Sequence, residues 1–132
     1  MFVDEFSYFP QQKNLENTEE ITEGKQFSKA ILSFIQIEQT DEENDLKSRE
    51  KKLVNHLKWV ARKNDTNSII LHSFAHLSES KATPEFTKEL FNEAEKRLLN
   101  AGYSVAQTPF GYFLDLNIKA PGFSQARIWA SL

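Results

Sequence analysis

The stretch Ile69-Ile70-Leu71-His72-Ser73-Phe74-Ala75-His76-Leu77-Ser78, followed by Thr83-Pro84-Glu85-Phe86, decides the architecture. Ile69 to Leu71 is a short apolar run of strand formers, the pattern of a strand buried on both faces. Thr83 offers a cap, Pro84 occupies the first helical position, and Glu85 places an acid in the first turn, so a helix is predicted from there. Phe86, Leu90, Ala94 and Leu98 recur at helical spacing, and Gly102 follows as a left-handed stop. Tyr103 to Ala106 then reads as another strand. The helix carries the chain from one sheet edge back to the next.

Upstream, Ala30 to Ile37 is nearly continuous apolar sequence and predicts a second buried strand. The acidic stretch Thr40 to Asp45 ends in a cap at Asn44 or Asp45. From it Leu46, Leu53, Leu57 and Val60 form a helical stripe, with Arg62 and Lys63 at the end favoured by the helix dipole. Asn64 to Asn67 breaks that helix. The first nine residues, ending Phe6-Ser7-Tyr8-Phe9, alternate weakly and predict a short edge strand before Pro10; Gln11 to Gly24 reads as a surface loop. Downstream, Tyr112 to Lys119 predicts a strand with Tyr112, Leu114, Leu116 and Ile118 on one face. Pro121-Gly122 turns the chain into a final short segment, read as helical, that carries Trp129. The order β-β-α-β-α-β-β-α describes one mixed α/β (α+β) domain over residues 1–132, a mixed sheet with two main helices.

Composition narrows the function. The 132 residues are 39% hydrophobic and include 11 Phe, enough for a phenylalanine-rich core. No run of about 18 apolar residues is present, so no membrane helix is expected, and the N-terminus lacks a secretory pattern. There are no cysteines, which excludes disulfides and thiolate chemistry and fits a reducing cytoplasm. The net charge of -3 argues against a long grip on duplex phosphates, so any nucleic-acid contact is local.

Two segments carry chemistry: Phe74-Ala75-His76-Leu77-Ser78 and Thr108-Pro109-Phe110-Gly111-Tyr112-Phe113. Strand ends of this kind are where α/β proteins place ligands. His76 reads either as a general base or ligand-positioning group near pH 7, or as a structural histidine capping the strand end. His72 and His76 lie four apart, but a strand ending between them denies the shared helical face that a zinc pair needs. His56 reads as a partly exposed filler beside the apolar stripe. Gly111 permits positive φ and close approach of a ligand to the backbone, or equally a hairpin turn between the flanking strands.

Together these residues resemble the archaeal-type editing domain of threonyl-tRNA synthetase, which is related in fold to D-aminoacyl-tRNA deacylases. The resemblance rests on Phe74 to Ser78, Pro84, Gly102, Val105 and Pro109 to Tyr112, with Asp4, Tyr8, Ile118 and Gly122 extending it. It implies hydrolysis of serine mischarged onto threonine tRNA. His76 would hold the adenosine or the catalytic water. Phe74, Ala75, Pro109, Phe110, Gly111, Tyr112 and Phe113 would line the pocket, and no cofactor or metal would be needed. The implied partner is the acceptor end of aminoacyl-tRNA. A homodimer, and a threonyl-tRNA synthetase served in trans, are compatible with it.

The sequence departs from the family pattern at several positions. Leu114 stands where the family has a lysine, Phe113 replaces a tyrosine, and Ala120, Pro121 and Phe123 replace a cysteine, a lysine and a histidine around Gly122. The first strand looks clipped, and no aminoacylation domain is expected from the sequence after Leu132. Three readings follow: a stand-alone or excised editing enzyme, a degenerate relative that binds an aminoacyl-adenosine end without chemistry, or a protein-interaction module that retained only the fold.

Overall fold

Local strand and helix preferences are assembled here by one mixed sheet. The computed structural model describes residues 1–16, 20–75, 77 and 79–132. In chain order the elements are β1 (Phe2–Lys13), β2 (Lys25–Ile35), α1 (Gln39–Glu42), α2 (Leu46–Lys63), β3 (Ser68–Ser73), α3 (Pro84–Asn100), β4 (Ser104–Gln107) and β5 (Tyr112–Lys119), then a 3-10 turn at Ser124–Ala126. The strand order is β4-β3-β2-β1-β5. β2, β3 and β4 run parallel, while β1 is antiparallel to both of its neighbours.

Two apolar clusters sandwich the sheet. On one face Ile31, Ile69 and Leu71 meet Leu53, Leu57 and Val60 of α2 and Leu90, Phe91, Ala94 and Leu98 of α3. On the other, Val3, Phe6, Tyr8, Ala30, Leu32 and Ile70 form a second cluster, against which Phe27, Phe34 and Leu114 pack. Burial on both sides is why the middle strands read as continuous apolar runs. Glu50 of α2, only 5% exposed, accepts a 2.7 Å hydrogen bond from Arg97 Nε of α3 and pins the helices together.

Several expectations need correction. β1 is a twelve-residue internal strand rather than a short edge strand, and it runs through Pro10. Beyond Tyr8 it pairs only with β5, with a register shift between Pro10 and Gln12, so a residue without an N–H is tolerated. β2 begins at Lys25, ahead of the apolar run, because its first residues pair with β1 alone. β4 and β5 lie on opposite edges of the sheet, which rules out a hairpin at Gly111. The final segment forms a 3-10 turn, and Trp129 is exposed.

The helix signals hold. Thr83 Oγ1 accepts from the Phe86 N–H, with Pro84 in the first turn. Gly102 adopts φ 91°. No helix among the described residues is long and apolar enough to cross a membrane.

Candidate functional site

Because β2, β3 and β4 are parallel, their carboxyl ends meet at one edge of the sheet, where such sheets hold ligands. Short backbone bonds tie the outgoing loops there. Phe74 N–H donates to Ile35 O at 2.9 Å, Ala82 N–H to Ile37 O at 2.9 Å, and Thr108 N–H to Leu71 O at 3.0 Å. The loops enclose a cavity of about 470 Å³. Its wall includes His72, Phe74, Ala75, Lys81, the first turn of α3 and the run Pro109 to Phe113. The size falls within the range of small-ligand pockets.

The second motif is held from two sides. Gly111 adopts φ 86°, and its carbonyl accepts from Asn14 N–H at 2.8 Å. Tyr112 continues into β5, while its hydroxyl accepts from Ile21 N–H at 2.9 Å. Its ring therefore lines the cavity with the phenol end anchored to the backbone. Phe113 also reaches the cavity, although half of it is exposed.

Phe74, Ala75, Pro109, Phe110, Gly111, Tyr112 and Phe113 thus border one space. His76 and Ser78 lie outside the described residues, so the expectation for His76 stands on the sequence alone. Leu114 lines the cavity and packs against the second apolar cluster, presenting hydrocarbon where the resemblance expects a lysine. Lys81 is the one charged side chain among the described lining residues.

Sequence reasoning weighed His72 only as half of a zinc pair and gave Thr108 no role of its own. His72 is 7% exposed, and its Nδ1 lies 2.8 Å from Thr108 Oγ1. Burial lowers its pKa to about 4, so the ring is neutral near pH 7. The available signal was a polar imidazole closing an apolar strand, beside a threonine placed immediately before Pro109.

A second cavity, about 260 Å³, lies between β2, α2 and the C-terminal segment, and Arg49, His56 and Trp129 border it. His56 stacks on Trp59 with ring centroids 6.0 Å apart. Burial, helped by the N-terminal ammonium, lowers its pKa. Among the described residues no three His, Asp or Glu side chains gather as a metal site.

The family described as the Archaea-specific editing domain of threonyl-tRNA synthetase matches residues 1–132. Among curated relatives, the threonine–tRNA ligase of Thermococcus onnurineus is 31% identical over 128 residues, covering 95% of this chain and 20% of the relative. That of Thermococcus sibiricus is 30% identical over 128 residues, with the same coverage. That of Methanocaldococcus jannaschii is 30% identical over 118 residues, 89% of this chain and 18% of the relative. The chain spans about one fifth of the length of these relatives.

Proposed function

Because the chain belongs to the archaea-specific editing-domain family of threonyl-tRNA synthetase, we propose that it hydrolyses serine mischarged onto threonine tRNA, acting as a stand-alone or excised editing domain. One observation carries this reading: Phe74-Ala75 and Pro109 to Tyr112, far apart in sequence, line a single cavity at the carboxyl ends of parallel strands. The terminal adenosine enters between the aromatic walls, and the aminoacyl ester lies toward the strand ends. Water attacks the ester carbonyl, and the ribose oxygen leaves with a proton.

The chemistry explains the need for such a site. A pocket separates serine from threonine by one methyl group, worth only about 1–3 kcal/mol, so a second, hydrolytic step raises fidelity. Backbone N–H groups held by the strand ends can stabilise developing negative charge without a side-chain cation. His76 holds the adenosine or the attacking water. The acceptor end needs only local contact, in keeping with the chain's net charge of -3. Lys81, which borders the cavity, would meet a terminal phosphate.

A second reading has its own support. Leu114 puts hydrocarbon on the cavity wall where the resemblance expects a lysine, and this favours a relative that binds the aminoacyl-adenosine end without hydrolysing it. Deacylation of seryl-tRNA(Thr), against threonyl-tRNA(Thr) and D-aminoacyl-tRNA controls, separates the two. The editing reading expects seryl ester turnover about tenfold or more faster than threonyl, and lost in His76→Ala. Binding of the tRNA end with no turnover would establish the second reading instead.

A further inference from the structure

His72 is buried at the cavity wall in a manner that simple packing does not require. Phe34 meets its ring edge-on at 5.4 Å and 87°, Phe74 lies against it at 6.1 Å, and Thr108 holds Nδ1 at 2.8 Å. These partners come from three separate segments, so the imidazole has a fixed orientation. An apolar side chain would fill the same space without the cost of burying a polar ring.

Hydrogen counting favours one tautomer. Thr108 is 6% exposed, and its hydroxyl hydrogen needs an acceptor. If Nδ1–H donated to Thr108 Oγ1, that hydroxyl hydrogen would need a second partner. Among the described residues His72 is the one recorded hydrogen-bond partner of Oγ1. One bond satisfies both groups when the Thr108 O–H donates to Nδ1, which leaves the ring hydrogen on Nε2. Nε2 is then the nitrogen that carries the donor, on a ring that lines the cavity. Burial keeps the ring uncharged near pH 7, so it does not repel the α-ammonium of an aminoacyl ester.

We propose that His72 is a catalytic residue for the editing reaction, its Nε2–H donating to the ester carbonyl oxygen as that oxygen becomes negative; this rests on the editing function proposed above. The water oxygen bonds to the ester carbon while the carbonyl electron pair moves onto oxygen. That oxyanion accepts the Nε2–H hydrogen bond. The pair then returns, the carbon–oxygen bond to the ribose breaks, and one water proton passes to the departing ribose oxygen. The other stays on the new carboxyl group until it ionises. Free serine and deacylated tRNA result, and His72 keeps its own proton throughout.

The test is single-turnover deacylation of seryl-tRNA(Thr) by the wild-type chain, His72→Phe and Thr108→Val, with affinity for uncharged tRNA(Thr) measured alongside. His72→Phe keeps the ring packing and removes the donor, so the rate is expected to fall about a hundredfold with unchanged affinity. Thr108→Val releases the tautomer and gives a smaller loss. Imidazole nitrogen NMR is expected to find hydrogen on Nε2 in the wild type, with that preference weakened in Thr108→Val. A wild-type rate in His72→Phe, or hydrogen on Nδ1, would overturn the proposal while leaving the editing function intact. If His72→Phe fails to fold, Thr108→Val and the tautomer decide the matter. A wild-type chain without turnover removes the editing function and this role with it.

Discussion

A Cβ on Gly24 would stand 2.0 Å from the Tyr8 carbonyl oxygen, so the chain enters β2 by a path open only to glycine. Gly24→Ala is expected to destabilise the fold by about 2 kcal/mol, read as a lower urea midpoint at unchanged slope. Nothing in the surrounding polar sequence marks this glycine, because the obstacle is a carbonyl from a different strand. His72 was equally silent about its burial, although its residue type was visible. Its pKa falls from 6.5 to about 4 on folding. Between those values the unfolded chain binds a proton that the folded chain lacks, so stability rises with pH across that window and is level above it. Acidification through the window is expected to cost about 3 kcal/mol. Urea melts at several pH values check this: His72→Phe loses this share of the dependence, while His56, also shifted downward, keeps its own.

Elements whose signals are local were legible. The start of α3 follows from Thr83-Pro84-Glu85, and the buried stripe of α2 follows from the spacing of Leu53, Leu57 and Val60. α1 was not, since four residues are too few to show a period; its start is closed by Glu38 N–H donating to Asp41 Oδ2 at 2.9 Å. The extent of β1 was hidden because Pro10 reads as a stop unless one side of the strand is known to be open. Between helices, Glu50 sits within a charged run of α2 that gives no sign of burial, yet Arg97 meets it across the α2–α3 contact. Arg97 is over a third exposed, so solvent weakens the pair. Arg97→Met is expected to cost about 1–2 kcal/mol, because it leaves the Glu50 carboxylate buried without its cation. The double variant with Glu50→Leu should recover most of that loss; thermal melts of the four chains in the cycle check it.

For the whole molecule, the order β4-β3-β2-β1-β5 brings the two motifs together, and that order is a non-local property. Periodicity predicted the strands but not which would be neighbours, so the Gly111 turn could equally have closed a hairpin until β4 and β5 were found at opposite edges. The lining of the cavity was more legible than its chemistry. Phe74, Ala75 and Pro109 to Phe113 border the cavity, whereas the His72–Thr108 bond depends on two strands meeting in parallel. The fold also offers a competing space beside Arg49 and His56. Titrating the nitrogen-labelled chain with a non-hydrolysable seryl-adenosine analogue, followed by amide NMR, tests the assignment most directly. Shifts centred on Phe74, Ala75, Gly111 and Tyr112 are predicted; shifts centred on Arg49, His56 and Trp129, or none at saturating analogue, would contradict it.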